Sequence, residues 1–255
     1  MINRKHPIYT VRNHYTIKEG LKVDQCNLCQ VVPNIPYRLG DMISQNDSRN
    51  LDLKKTVDNY PNSIVTEYDS QSDKSNNYKL LADIVKKRAS NIPTNSLSKI
   101  LDTCVIHLRT GDVIDHIIDA GHSPEDLVNQ RISMNGQHWG FYTPCISDII
   151  EGINKVAHSK DILLISGTHK YCNKENSCKY VRLIASRLRE NDYNVSLRMG
   201  EDPDEDYVMM CLAKSFIASG GNYSSSIMKV RELLGSGPSY STRDKSLSLS
   251  IEPGS

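Results

Sequence analysis

From about Leu101 onward, short apolar runs rich in β-branched residues alternate with longer segments that have a helical spacing of apolar positions. Strands separated by single helices pack as right-handed βαβ units, so this alternation predicts a mostly parallel sheet in a Rossmann-like α/β domain. The predicted strands span residues 103–108, 161–166, 193–198 and 215–218, and the predicted helices lie near 144–156, 177–191, 204–213 and 224–234.

The first hundred residues have a different, irregular and polar pattern, with clusters of Asn, Asp and Ser at 44–50 and 69–77. One helix is predicted there, from Tyr78 to Ser90, on the apolar stripe Leu80, Leu81, Ile84 and Val85. A Ser-, Gly- and Pro-rich end predicts a flexible tail. The expected organisation is therefore a reduced N-terminal domain over 1–100, a Rossmann-like domain over 101–235 and a tail over 236–255.

Composition excludes several classes of protein. Among 255 residues, 31 Lys and Arg nearly balance 30 Asp and Glu, so no overall field attracts nucleic acid or an anionic membrane. We expect no membrane span because no apolar run approaches the roughly 20 residues required. The seven cysteines contain a single CxxC pair, Cys26 and Cys29, which favours a reducing compartment. This pair is half of a zinc knuckle or a redox pair, but a zinc site needs four ligands and no second pair follows, so no metal is expected.

The segment His107-Leu108-Arg109-Thr110-Gly111-Asp112 carries the first candidate chemistry. It follows a predicted buried strand, and ligands of open α/β sheets gather beyond the carboxyl ends of strands. The guanidinium of Arg109 is always charged and binds phosphate oxygens in a planar, forked geometry. Two interpretations remain open: Arg109 binds a diphosphate, or it forms a surface ion pair with Asp112.

A second candidate anion site follows the predicted strand 215–218. There a Gly-Gly and Ser-rich turn, Gly220 to Ser226, opens a helix. Backbone N–H groups at a helix start and the helix dipole favour a bound anion, and Ser224, Ser225 and Ser226 add hydroxyl donors. The acidic residues Asp204 and Asp206 begin the preceding helix; they either contact a base or ribose, or only stabilise the helix start through its dipole.

The segment 107–112 resembles the first motif of the GDP-fucose-dependent fucosyltransferases, the superfamily of α-1,2, α-1,6 and protein O-fucosyltransferases. In that family an Arg after a strand binds the donor diphosphate, and many members have a second Arg where this chain has Thr110. Residues 164–172 are similar to the second motif, without its Ser-Asp-Asp acidic pair. Residues 204–211, 214–219 and 222–226 resemble the third block, an acidic helix, an apolar strand and an Asn-Ser-Ser-Phe-Ser turn.

An N-terminal similarity is shorter. Tyr37-Arg38-Leu39-Gly40-Asp41-Met42-Ile43 resembles the Gly-Gly-Leu-Gly-Asn/Asp loop near the start of these enzymes, with Tyr37 and Arg38 in place of the two glycines; an ordinary Leu-Gly-Asp turn explains it equally. The resemblance implies a GT-B fold of two Rossmann-like domains, with the nucleotide-sugar on the C-terminal one and no required metal or cofactor.

The resemblance also implies roles for particular residues in an inverting transfer. Arg109 and the serines 224–226 stabilise the leaving diphosphate, and His107 belongs to the same donor-binding site. Asp112 orients Arg109, contacts the ribose or base, or caps the turn. Candidates for the base that deprotonates the acceptor are Asp41, His107 and His138, although His107 also fits a structural histidine on a buried strand.

The predicted activity is the transfer of a sugar, L-fucose from GDP-fucose, to a glycan or glycoprotein acceptor. Alternatives are the same fold with another GDP-sugar or a UDP-pentose such as UDP-xylose, and a non-catalytic domain that binds glycan or protein. The expected partners are a nucleotide-sugar donor and a carbohydrate acceptor, with no nucleic acid. The expected compartment is the cytoplasm, with a lumenal domain of a Golgi-type enzyme as the alternative.

Overall fold

The computed structural model describes residues 74–249, apart from 91, 93, 136–139, 168–173 and 201–202. The helices of this part of the chain are Lys74–Ala89 (α1), Thr94–Asp102 (α2), Asp112–Asp119 (α3), Pro124–Asn129 (α4), Ile146–Val156 (α5), Lys174–Glu190 (α6), Pro203–Leu212 (α7) and Gly221–Leu234 (α8). The strands are Cys104–Arg109 (β1), Ile132–Asn135 (β2), Gly140–Thr143 (β3), Asp161–Gly167 (β4), Asn194–Met199 (β5), Ser215–Ala218 (β6), Ser239–Ser241 (β7) and Ser246–Ser248 (β8).

Six strands form one mostly parallel sheet in the order β5-β4-β1-β6-β7-β8. Within this six-stranded sheet, only the pairing of β7 with β8 is antiparallel. The order grows outward from β1 in both directions, through β4 and β5 on one side and through β6 and β7 on the other, as it does in a Rossmann-type sheet. The predicted α/β class and the mostly parallel sheet are confirmed.

Each face of the sheet has its own apolar core, and β1 contributes to both. Cys104, Ile106 and Leu108 face the core formed with α3, α4, α5 and α6. Val105 faces the other core, formed with α1, α2, α7 and α8. Successive side chains of a strand point to opposite faces, so His107 and Arg109 lie on the same side as Val105, toward α8.

A domain boundary was expected near residue 100, but the described residues on either side of it share one apolar core. Helices α1 and α2 pack against the sheet through Leu81, Ile84, Val85 and Ile100, within the core that also holds Val105 and Phe216. Residues 74–102 therefore fold with the sheet. Most of the proposed N-terminal domain, residues 1–73, lies outside the described residues.

The prediction of a flexible tail over 236–255 is wrong for its described part. Residues 239–241 form β7 beside β6, and Tyr240 is fully buried. A composition rich in Ser and Gly suggests a mobile segment. Here, however, the backbone of β7 forms hydrogen bonds with β6, and the Tyr240 ring packs in the core.

The segment between β1 and α5 contains α3, α4 and a two-stranded hairpin of β2 and β3. Val113, Ile114 and Ile117 bury one face of α3. A capping box between Ser123 and Asp126, with Pro124 in the first turn, begins α4. Among the described residues no helix is long and apolar enough to cross a membrane.

Candidate functional site

The carboxyl ends of β1 and β6 lie side by side at the point where the strand order reverses. From these two ends the chain leaves the sheet toward opposite faces, into α3 after β1 and into α8 after β6. Such a switch point leaves a crevice between neighbouring connections, and it is the usual ligand position in open α/β sheets. The first motif and the Ser-rich turn, separated by about a hundred residues in sequence, meet there.

The backbone at the end of β1 is fixed from both neighbouring strands. The Arg109 N–H donates to Ser219 Oγ at 2.7 Å, which ties β1 to the residue after β6. Thr110 is buried; its hydroxyl donates to the Gly167 carbonyl at 2.8 Å and shares a hydrogen bond with Ser166 Oγ at 2.8 Å, which ties β1 to β4. Position 110 thus holds two strand ends together through a buried hydroxyl.

The Arg109 side chain reaches from β1 to the start of α8. It is 33% exposed, so solvent and a ligand can reach it. A Cβ placed on Gly221 would lie 3.0 Å from Arg109 Nη1, so the absence of a side chain there lets the guanidinium rest against the backbone. The structure therefore places a fixed cation directly against the first residue of α8.

Gly220 and Gly221, which we call the glycine turn, both have positive φ angles, 92° and 85°. L side chains rarely adopt this backbone conformation. Gly220 occupies the N-cap position of α8, and no side chain among the described residues forms a cap hydrogen bond there. The first N–H groups of a helix have no carbonyl partner within the helix, so this end of α8 offers donors and a positive dipole beside Arg109.

His107 is a link between β1 and α8. Its Nδ1 lies 2.7 Å from Ser224 Oγ, and its ring packs at 5.3 Å from the Tyr223 ring. Burial and the charge of Arg109 lower the pKa of His107 to about 4, so the imidazole is neutral near pH 7. A group with so low a pKa is a weak base, and its arrangement matches a histidine that positions the start of α8.

The three predicted serines have different surroundings. Ser224 is buried and bonded to His107. Ser226 is also buried; it donates to the Tyr223 carbonyl at 2.8 Å and accepts from the Tyr207 hydroxyl at 3.2 Å. Ser225 is exposed, and its hydroxyl donates to the Gly221 carbonyl at 3.1 Å. Ser225 alone among the three presents its hydroxyl at the surface.

Asp112 lies in the first turn of α3, close to Arg109. Its carboxylate is 3.9 Å from Arg109 Nη2 and about half exposed. At this distance and exposure the pair contributes little to stability, which leaves the guanidinium available to a stronger anion. The preceding Gly111 has a φ of 78° and donates its N–H to the buried Ser177 Oγ at 3.0 Å, which fixes the turn.

The acidic helix α7 forms a separate cluster at the end of β5. Arg198 donates from Nε to Asp206 and from Nη2 to Glu205 at 3.0 Å, and all three side chains are largely buried. Strand β4 lies between β5, which carries Arg198, and β1, which carries Arg109, so the two sites are two strand spacings of about 4.8 Å apart in the sheet. Asp206 therefore has a structural partner, whereas the side chain of Asp204 is outside the described part of the chain.

Several predicted residues lie outside the described residues. They include Asp41 and its loop 37–43, the proposed base His138, residues 168–172 of the second motif, and the Cys26 and Cys29 pair. The side chains that are described include no group of three or more His, Cys, Asp or Glu able to hold a metal ion.

Sequence reasoning missed two residues that the structure places at the site. Ser219 accepts the Arg109 N–H, and the only signal for it is its position directly before the glycine turn. Arg243, in the turn between β7 and β8, lies against Gly220: a Cβ on Gly220 would be 3.1 Å from Arg243 Cδ. The Ser241-Thr242-Arg243-Asp244 run is a side-chain-capped turn, a signal that was hidden by the expectation of a tail.

The chain matches no protein-family model, no curated protein and no solved structure. The fold and the site together define an α/β protein with a mostly parallel sheet whose strand order reverses at an exposed arginine and a glycine-capped helix start. Any functional assignment depends on the chemistry of this arrangement.

Proposed function

We propose that this chain is an inverting glycosyltransferase of the GT-B type, which transfers L-fucose from GDP-fucose to a glycan or glycoprotein acceptor. The observation that carries the proposal is the contact of the Arg109 guanidinium with the glycine turn at the switch point of the sheet. The resemblance of residues 107–112 and 204–226 to the fucosyltransferase motifs supports the choice of donor.

The chemistry of the transfer explains why this arrangement is suitable. When the anomeric bond breaks, negative charge grows on the leaving diphosphate, and stabilisation of that charge lowers the barrier. The Arg109 guanidinium supplies a permanent charge, and the start of α8 supplies N–H donors that need no reorganisation. The proposal assigns this stabilisation to the protein's own groups, so neither a metal nor a cofactor has a part in it.

Other residues have supporting parts in the proposed mechanism. Asp112, 3.9 Å from Arg109, orients the guanidinium. The exposed Ser225 hydroxyl donates to the diphosphate once it gives up its hydrogen bond to the Gly221 carbonyl. His107 positions Ser224 and with it the first turn of α8. The low pKa of His107 disfavours it as the base, so the proposal assigns acceptor deprotonation to a carboxylate of the N-terminal region, with Asp41 as the candidate.

The test is calorimetric titration of GDP, UDP, GDP-fucose and UDP-xylose into the full chain in the presence of EDTA. We expect GDP and GDP-fucose to bind, and Arg109→Ala to weaken binding about 10- to 100-fold because a charge-assisted hydrogen bond to phosphate is lost. Arg187→Ala is the matched control: this exposed arginine of α6 pairs with Glu190, and its loss should leave binding unchanged. Release of GDP from GDP-fucose, with glycan acceptors added, then tests for transfer.

Each outcome of this titration has a distinct meaning. A preference for UDP and UDP-xylose would keep the fold and the transfer but replace the donor. Tight glycan binding without any nucleotide binding would contradict the enzymatic assignment and favour a glycan-binding domain. Binding of GDP that is unchanged in Arg109→Ala would place the nucleotide elsewhere on the chain.

A further inference from the structure

We propose that Arg243, in the turn between β7 and β8, is a second phosphate-binding cation of this site. The inference rests on the proposed function, because it assigns a further contact to the same diphosphate. The observation that supports this proposal is that two arginines contact the two residues of the glycine turn. Arg109 lies against Gly221, and the Cβ and Cδ of Arg243 lie 3.2 and 3.1 Å from where a Cβ on Gly220 would be.

The two contacts are close because Gly220 and Gly221 are consecutive, and consecutive Cα atoms are about 3.8 Å apart. The start of α8 therefore has an arginine against each of its first two residues. Both glycines have positive φ, and a side chain on either one would crowd the arginine beside it. Glycine at both positions lets the Arg109 guanidinium and the aliphatic part of the Arg243 side chain lie against the start of α8.

The turn that carries Arg243 is firmly anchored. Arg131 Nη2 donates to the Arg243 carbonyl at 2.6 Å, and the Thr242 hydroxyl and N–H both donate to the Ala218 carbonyl at 3.0 Å. Ser241 Oγ donates to Asp244 at 3.0 Å, which draws that carboxylate back into the turn. Arg243 enters these bonds only through its carbonyl, so its guanidinium has no part in them.

The charges around Arg243 leave its guanidinium for a ligand. Lys245, two residues later, pairs with Glu151 at 2.9 Å. In contrast, Arg243 is exposed and forms no ion pair with a carboxylate of the described residues. A diphosphate bears at least two negative charges, and Arg109 is already near the carboxylate of Asp112. Arg109 alone therefore neutralises only part of the diphosphate charge, and Arg243 supplies a second positive charge.

The experiment uses the full chain with inorganic pyrophosphate and GDP as probes, titrated in EDTA at low and moderate salt. Arg243→Ala should weaken both probes about 10- to 100-fold and reduce the salt dependence of binding, because one charged contact is lost. Arg243→Lys should restore part of the affinity, since it keeps the charge but not the fork. Arg187→Ala is again the control, and an unchanged melting temperature of Arg243→Ala excludes a folding defect.

The outcomes separate this inference from the proposed function. If GDP binding requires Arg109 but is the same in Arg243→Ala as in the wild type, the inference is overturned while the proposed function stands. If pyrophosphate binding requires both arginines but no nucleotide-sugar is bound or cleaved, the two-arginine site is supported and the glycosyltransferase assignment fails. If neither probe binds the wild type, both are overturned.

Discussion

Arg109 and Arg231 show how burial and partners give one residue type two different tasks. Arg231 is fully buried, and its guanidinium donates to main-chain carbonyls at the end of α7 and after α8, those of Met210, Cys211, Ala213, Ser236, Gly237 and Pro238. Burial lowers the pKa of Arg231 to about 10, and it still carries its charge at pH 7. Carbonyls at helix ends are the negative pole of the dipole, so they stabilise this cation without a carboxylate. Arg109 instead keeps its charge accessible.

This contrast gives a stability prediction. Arg231→Met should lower the free energy of unfolding by more than about 3 kcal/mol, since several buried carbonyls lose their donor at once. Arg109→Met should lower it by less than about 1 kcal/mol, because the ion pair that Arg109 forms within the described residues is long and exposed. Urea unfolding of both variants measures the difference. Equal losses would contradict the separation into a structural and a ligand-binding arginine.

His107 gives a prediction about pH. Its pKa is about 4 in the folded chain and 6.5 for an unperturbed imidazole, so between these values the unfolded chain binds a proton that the folded chain excludes. The free energy of unfolding should therefore fall as the pH drops from 6.5 to 4, by up to about 1.4 kcal/mol per pH unit from this group, and be independent of His107 above that window. Urea unfolding at several pH values, for the wild type and His107→Gln, measures this contribution. Parallel curves for the two proteins would argue against a half-buried, neutral imidazole at position 107.

The sequence could identify some site residues because their types carry distinctive chemistry. An arginine after an apolar strand and a Gly-Gly turn before a helix are visible without coordinates. The hydrogen bond between His107 and Ser224 is not, because it depends on which side of β1 faces α8 and joins residues 117 positions apart. Arg243 was hidden because its turn, between β7 and β8, was expected to belong to a flexible tail.

At the scale of elements, the start of α8 joins strand, turn and helix into the candidate site. β6 ends beside β1, the glycine turn redirects the chain, and α8 returns over the face that holds His107 and Arg109. The positive φ angles of the turn are needed for this change of direction, and the absence of side chains is needed for the contact with Arg109.

These two requirements can be separated by a matched pair of variants. Gly121, after α3, also has a positive φ, 98°, but a Cβ there would meet nothing within 4 Å. Gly121→Ala and Gly221→Ala should each lower the free energy of unfolding by about 1–2 kcal/mol through backbone strain. Only Gly221→Ala should also weaken GDP binding, about 10-fold, because its methyl group displaces the guanidinium of Arg109. A similar loss of affinity in Gly121→Ala would show that strain alone is responsible.

The strands and helices predicted from the βα alternation match the structure within a few residues. The predicted strand 215–218 coincides with β6, and the strand predicted over 103–108 is β1, shifted by one position. Short elements were missed: α3 and α4 are one to two turns long, and β7 has three residues. Such elements form because tertiary contacts bury them, and a short window of sequence holds too little periodicity to reveal that burial.

At the scale of the whole molecule, the order of the strands decides where chemistry can occur. Two apolar cores stabilise the two faces of the sheet, and the strand order reverses between β1 and β6, at the edge where Arg109, the glycine turn and Arg243 meet. The predicted alternation of strands and helices already implied such an edge. The sequence did not indicate that the C-terminal hairpin would extend the sheet and approach this edge.

The most direct test is the crystal structure of the full chain in complex with GDP, grown in the presence of EDTA. We predict that the diphosphate lies at the start of α8, with phosphate oxygens about 2.7–3.2 Å from the Arg109 guanidinium and the guanine directed along the carboxyl edge of the sheet. A diphosphate bound elsewhere, for instance at the Arg198 cluster, or a well-ordered complex in which Arg109 touches no phosphate, would contradict the account.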